Sequence, residues 1–389
     1  MSTKTFLLTG GRAPATLDLA RLLASAGHRV LLVESFKHAF CRASRAVTQT
    51  FLVPSPRFEE EAFLSALQKI VLAENVDVLI PTSEEIFVVA RGLNKLAPHT
   101  YVWVEPFEIL HSLHSKWELF QLAKQYNYLV PKTWKVTSLK EIQEIQKNQI
   151  DKTQFILKPV YSRFSAHVHV ISNEKNSLPQ ININPENPWI LQEFIEGNQV
   201  CTYGLAYRGK LLAHVAYRTT FTAGRGASIT FAPYRNDKLI KLVQKWVEMM
   251  SFTGQISFDW METTRNELFL IECNPRLTSG IHLFHQDDGL ANLFIDPVSA
   301  SFILPKSSPK MISLAMLTYG LRSVRSLFDF KQWAKTFLGS QDVIFRWNDP
   351  LPYFYQGLSL FSLWRMSRCL GISMIEATTY DMEWNGEGT

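Results

Sequence analysis

The residues of this chain with the clearest chemistry stand at the end of one apolar run. The stretch Leu268-Phe-Leu-Ile-Glu-Cys-Asn-Pro-Arg276 reads as a buried strand, Phe269 to Ile271, that delivers Glu272 and Asn274 two residues apart. Strand side chains alternate, so positions two apart share a face. The earlier run Ile256-Ser-Phe-Asp-Trp260 delivers Asp259 in the same way, and Thr263 to Glu267 between them reads as a hairpin turn. Folded back, the hairpin sets Asp259, Glu272 and Asn274 on one surface. Two carboxylates and an amide oxygen are hard ligands, suited to a magnesium ion that also takes oxygens from phosphate. Arg276, two residues on, stands where a guanidinium can meet an anion. Acidic residues also end hairpins that simply face water, so the cluster must be weighed with the segments around it.

The elements that hold it follow a simple order. Residues 1 to about 104 alternate strand and helix: Thr5–Leu8, a turn at Gly10, Gly11 and Pro14, a helix over Ala15–Ala26 closed by Gly27, then a strand at Val30–Val33. A second helix spans about Phe58–Glu74. A strand at Val76–Ile80 runs into Pro81-Thr-Ser-Glu-Glu85 and another helix, and Tyr101–Val104 is a last strand. Such βα units predict a parallel, doubly wound sheet with ligand loops at the carboxyl ends of its strands. From about 105 to 300 the texture becomes α+β. Helices are expected at Ser115–Tyr126, Ser138–Gln149 and Lys238–Met250. Strands are expected at Gln154–Pro159, His167–Ile171 and from Trp189 on to Tyr217. Leu178–Pro188 reads as a polar loop, and Gly224 and Gly226 mark another. Residues 301–389 read as mostly helical and aromatic-rich.

Composition narrows the class. Of 389 residues, 46% are apolar and the net charge is +5, which describes a globular protein and argues against a nucleic-acid partner. Four scattered cysteines without a CxxC pair fit reduced thiols and a cytoplasmic location better than disulfides or zinc. The apolar start, Phe6-Leu-Leu8, is too short for a signal peptide, and no window is long enough for a membrane span. Leu358–Leu370, interrupted by Arg365 and Arg368, reads as an amphipathic helix packed on the protein, with membrane contact as the weaker reading. Thr9-Gly-Gly-Arg12 lacks the GxGxxG spacing of dinucleotide sites, so a nicotinamide enzyme is the weaker reading.

Upstream of the hairpin lie Lys116 near a helix start, Phe155-Ile-Leu-Lys158-Pro159, and Gln192-Glu-Phe-Ile-Glu-Gly197. A lysine ending an apolar strand is awkward unless it serves as a point charge, although one at a strand edge can snorkel to water. In this order, with Asp259, Glu272, Asn274 and Arg276, the segments resemble the ATP-grasp superfamily over about residues 1–300. The resemblance is closest to the branch of carbamoyl phosphate synthetase, biotin carboxylase and carboxylate–amine ligases. It implies a pre-ATP-grasp Rossmann-like domain at 1–104, an ATP-grasp domain at 105–300 and a C-terminal region at 301–389. It implies ATP and magnesium as cofactors, with Lys116 and Lys158 on the nucleotide phosphates. Gln192 or Glu193, with Phe194 and Ile195, would hold the adenine. Asp259, Glu272 and Asn274 would take the metal, and Arg276 and Arg218 would act on the substrate and γ-phosphate.

The chain departs from the family pattern twice. The loop after Lys158 is usually glycine-rich, whereas Val160-Tyr-Ser-Arg-Phe-Ser-Ala166 has no glycine. Ser162, Arg163 and Ser165 are its candidate donors, Arg163 foremost. Gln199 stands where a glutamate often holds the ribose hydroxyls, and Glu196 can share that task.

The implied reaction is activation of a carboxylate as an acyl phosphate, followed by attack of an amine. The partners are then small-molecule carboxylates and amines, with a homodimer as the candidate assembly. Loops at Gly10–Arg12, Arg42–Arg45 and Ser83–Glu85 would form the acceptor pocket. Arg225 is a weaker candidate beside Arg218. His282 and His285 fit packing or substrate contact better than a metal pair, and no Met-Lys-Met carrier motif supports a self-contained biotin carboxylase. An ATP-binding regulator or scaffold without turnover is the alternative.

Overall fold

The computed structural model describes residues 2–149, 154–161, 168–172, 179, 181–224 and 226–386. The expected positions Ser162, Arg163, Ser165 and Arg225 lie outside the described residues.

The first sheet is built from five parallel strands: β1 (Thr5–Leu8), β2 (Arg29–Glu34), β3 (Gln49–Leu52), β4 (Val78–Ile80) and β5 (Tyr101–Val102), in the order β3-β2-β1-β4-β5. Its strands are continuous apolar runs because both faces are covered. Phe6, Leu8, Val30, Leu32 and Ile80 pack toward the helix Pro14–Ser25. Leu7, Leu31, Val33 and Leu79 pack toward the helices Glu60–Ala73 and Ile86–Arg91. Gly10, at φ +68°, makes the turn out of β1, where a Cβ would stand 2.8 Å from Thr82 Oγ1. The sequence reading missed β3, a half-exposed edge strand, and the helix Phe107–His114.

A four-stranded antiparallel sheet follows, ordered β6-β9-β7-β8 from β6 (Thr133–Val136), β7 (Gln154–Pro159), β8 (His169–Ser172) and β9 (Trp189–Glu193). Phe155, Leu157 and Leu191 form its core with Ile142 of the helix Leu139–Asn148. Alternation leaves Ile156, Lys158 and Gln192 on the other face, in the register Ile156 opposite Gln192 and Lys158 opposite Ile190.

The largest sheet takes β10 (Asn198–Tyr207), β11 (Lys210–Arg218), β14 (Thr230–Tyr234), β15 (Gly254–Glu262) and β16 (Leu268–Asn274), with a small hairpin, β12 (Thr222–Ala223) and β13 (Ala227–Ser228), beside it. One face packs on the helix Asp237–Met249 through Val200, Val243, Trp246, Phe258 and Trp260. Cys201, Tyr203 and Tyr217 on the other face join the core that reaches the first sheet. The C-terminal region is mostly helical, as expected, but β17 (Lys310–Met311) and β18 (Gln341–Asp342) extend the edge of this sheet. No helix among the described residues is long and apolar enough to cross a membrane.

Candidate active site

The hairpin forms in the register its alternation predicts. Asp259 pairs with Glu272 and Ser257 with Asn274, so all four share a face. A bulge intervenes between Asp259 and Trp260, because Trp260 pairs with Leu270 and leaves Ile271 without a partner. Two residues on β16 thereby oppose one on β15. The bulge keeps Leu270 and Cys273 in the helix-side core while Ile271 and Glu272 both turn to the cleft.

That cleft lies between the four-stranded and largest sheets. It collects Lys116, Lys158, Gln192, Glu193, Phe194, Ile195, Gln199, Asp259 and Glu272. Register explains several of these: Gln199 pairs with Met261 and Cys201 with Asp259, so they point one way. Lys116 opens the helix Lys116–Gln125 behind the cap Ser115, and its amide donates to the Val160 carbonyl at 3.2 Å, tying the helix start to the end of β7. A cation at a helix N-terminus is unfavourable by the helix dipole, and here its side chain is buried with Nζ 4.0 Å from Glu272 Oε2. Lys158 is also buried, its Nζ 5.9 Å from the centre of the Phe120 ring.

The charges are in tension. Burial, then the neighbouring Lys116, pushes the Lys158 ammonium down to about 8, against the pull of Glu272 and Asp259. Burial, then Glu272, pushes the Asp259 carboxyl up to about 6, although the Cys201 thiol donates to it. Two lysines and two carboxylates held this closely fit a ligand bearing both a cation and several anionic oxygens. Among the described residues no cluster of three or more His, Cys, Asp or Glu residues stands ready as a metal cage. A hard ion held by Asp259 and Glu272 must therefore complete its shell with ligand or water oxygens, as magnesium does.

Other expected residues sit differently. Asn274 shares the face of Glu272, but its Oδ1 accepts from Arg276 NH2 at 2.9 Å and it stands outside the cleft lining. Arg276 also lies 3.6 Å from Glu84 Oε1. Arg218 does not join the group. It pairs in register with Val200, on the face opposite Cys201 and Asp259, where it meets the buried Glu262 and lies over Tyr234 with its guanidinium carbon 4.0 Å from the ring centre. A shift of one residue along a strand reverses the face, and Tyr217 is the β11 residue on the cleft-side face. His282 is buried with Nδ1 2.7 Å from Asp18 Oδ2, and His285 caps the short helix Gln286–Asp288.

The expected acceptor loops are engaged by the chain's own C-terminal segment. Arg12 is buried between Glu34 and Asp381, its NH1 2.6 Å from Asp381 Oδ1, and Ser35 Oγ donates to Asp381 Oδ2 at 2.7 Å. Arg57 pairs with Glu383 at 2.7 Å, and the Trp384 amide donates to Glu84 Oε2 at 3.1 Å. Glu85 accepts from Thr9, Thr82 and Ser83 and so shapes its own loop. Arg42 and Arg45 are exposed and bond to the carbonyls of Lys37 and Asn348. The sequence reading also missed the apolar walls Ile156, Val168, Met261 and Ile271. Ile156 lies two residues before Lys158 and Met261 two after Asp259, so strand alternation alone marks them. It missed His114 too, which burial pushes down to about 4 beside Phe87 and Trp384.

Known proteins share this fold. A family model described as an ATP-grasp domain matches residues 113–280. Among solved structures, N5-carboxyaminoimidazole synthetase from Staphylococcus aureus superposes with TM-score 0.62 at 15% identity, over 83% of this chain and 88% of that one. L-amino acid ligase from Bacillus licheniformis gives 0.58 at 12%, over 80% of each chain. The biotin carboxylase domain dimer of Hydrogenobacter thermophilus 2-oxoglutarate carboxylase, in complex with MgADP, ADP and bicarbonate, gives 0.58 at 11%, over 79% and 74%. No curated protein sequence matches the chain. At these identities the structural likeness shows a common fold, and together with the family match it means that this chain carries an ATP-grasp domain over residues 113–280.

Proposed function

We propose that this protein is an ATP- and magnesium-dependent ligase. It transfers the γ-phosphoryl group of ATP to a carboxylate, releasing ADP. An amine then attacks the acyl phosphate and expels phosphate, forming a C–N bond. The observation that carries this reading is the meeting of buried Lys116 and Lys158 with Asp259 and Glu272 in one cleft.

The cleft walls divide the work. Ile156, Val168, Met261 and Ile271 make an apolar slot for a flat base, with the end of β9 at its edge. Gln192, buried and donating to Thr133 Oγ1 at 3.0 Å, is held rigid beneath the slot. Phe194 and Ile195 offer backbone groups to adenine, and Gln199 and Glu196 suit the ribose. Lys158 and Lys116 neutralise the phosphates, and Lys158 gains its charge fully when an anion offsets its burial. Asp259 and Glu272 would hold the metal, which would supply positive charge to the transferring phosphoryl group. Charge fixed in advance where the phosphoryl group moves is the main catalytic device in such reactions. Arg276, steadied by Asn274 and Glu84, is the group nearest the hairpin end that can orient a carboxylate. The nucleotide in the Hydrogenobacter thermophilus structure supports this assignment by fold likeness.

The test is Glu272→Gln, assayed for ADP release against pools of carboxylates and amines, with product mass read afterwards. The variant is expected to keep its circular dichroism and lose magnesium-dependent turnover. Near wild-type ADP release by the variant would sink the proposal. A wild-type chain that binds MgATP but releases no ADP with any pair would instead point to a regulator.

A further inference from the structure

One helix of the C-terminal region is turned inside out. In Leu351–Leu370 the buried positions are Pro352, Gln356, Ser359, Leu363 and Ser367, spaced as a single stripe, and most of them are polar or small. Their polar atoms are used within the protein: Ser359 Oγ donates to the His38 carbonyl and Ser367 Oγ to that of Ile372. The opposite stripe, Leu351, Phe354, Leu358, Phe361, Arg365 and Arg368, faces outward. Phe354 is 70% exposed, and Trp364 stands beside the stripe, half in solvent. Trp347, 90% exposed, adjoins the helix start through Phe345, whose ring packs edge-on against both Trp347 and Tyr353. A surface helix normally buries its apolar stripe, and a continuous exposed apolar face marks an interaction surface.

Charge selects the partner. The helix contains no acidic residue. Arg365 and Arg368 continue the apolar stripe and make no ion pair among the described residues. The segment packed on the buried side of the helix carries further exposed cations, Lys37, Arg42 and Arg45, the last bonded to the Asn348 carbonyl at 3.3 Å. A second copy laid face to face would bring Arg365 and Arg368 of both copies together with no carboxylate on either helix to meet them. An anionic lipid surface meets both halves of the pattern: apolar and aromatic side chains enter the headgroup–acyl boundary, and arginines reach the phosphates.

We propose that the face of the helix Leu351–Leu370 seats this protein peripherally on a membrane bearing anionic lipid. The experiment is cosedimentation of the full chain with vesicles of equimolar phosphatidylglycerol and phosphatidylcholine, against pure phosphatidylcholine, with light scattering of the free protein. The wild type is expected to bind the anionic vesicles, less so as salt is raised, and to bind neutral vesicles weakly. Arg365→Gln with Arg368→Gln should weaken anionic binding about 30-fold, two cations' share of attraction to such a surface. Phe354→Gln with Phe361→Gln should weaken it at least about tenfold. Both variants should keep the wild-type affinity for MgADP, because none of these residues lines the cleft. Absence of vesicle binding, equal binding to neutral vesicles, or a dimer that dissociates on Phe354→Gln with Phe361→Gln in place of vesicle binding would each overturn the proposal.

Discussion

Replacing Asp259 by Asn separates the energetics of the empty site from its chemistry. Asp259 pairs in register with Glu272, and burial together with that carboxylate moves its pKa from 3.8 to about 6. The folded chain therefore holds this proton more tightly than the unfolded chain. Its contribution to stability is complete below about pH 4, is lost as pH rises through about 6, and is constant beyond. At about 1.4 kcal/mol for each tenfold change in proton affinity, the ceiling is about 3 kcal/mol. Relaxation around the buried carboxyl lowers this ceiling, so a loss on the order of 2 kcal/mol is the working figure. Asn cannot ionise, yet its Oδ1 can still accept from the Cys201 thiol and its amide can donate to Glu272. The metal-free variant should then match the wild type near pH 4 and exceed it by on the order of 2 kcal/mol at pH 8. Thermal unfolding followed by intrinsic fluorescence across that range, in the presence of a chelator, reads this directly. Adding MgADP should reverse the order by stabilising the wild type more. A variant less stable than the wild type at pH 8, or a difference that does not change with pH, would refute the account of a strained carboxylate pair.

Two further substitutions probe placement. Arg218→Gln should leave MgADP affinity within about twofold, because Arg218 lies on the far face of the sheet, but should cost about 1–3 kcal/mol by leaving Glu262 buried without its cation. Isothermal titration and urea unfolding measure the two effects, and a large loss of nucleotide affinity would restore Arg218 to the site. Trp384→Ala should destabilise the chain by about 3–5 kcal/mol, since the indole packs against Phe87, Phe107, His111 and Tyr161. Limited proteolysis should then release the C-terminal segment first, whereas an unchanged cleavage pattern would mean that the indole does not anchor it.

Local pattern alone determined much of this protein. The period-two alternation around Asp259, Glu272, Lys158 and Gln192 is a property of the strand itself, so each side chain's face could be read before any partner was known. The alternation of strand and helix in the first hundred residues announced the parallel sheet, because parallel strands need crossover helices between them. Arg218 shows where that ends: its face depends on the register of β11 with β10, which is decided by packing of the whole sheet. The bulge that turns Ile271 and Glu272 together into the cleft is likewise invisible in a single strand, since it exists only relative to β15. The C-terminal segment carries no motif, yet it reaches the loops after β1, β3 and β4 through Asp381, Glu383 and Trp384, contacts spanning three hundred residues of chain or more. The helix Leu351–Leu370 is the sharpest case. The sequence over Leu358–Leu370 predicts an amphipathic helix packed on the protein, but only the seat of the longer helix against residues 38–43 determines that its apolar side faces outward. Chemistry-bearing residues on single strands were thus legible one element at a time, while the acceptor side and the outward face of the helix arise from contacts between elements far apart in the chain.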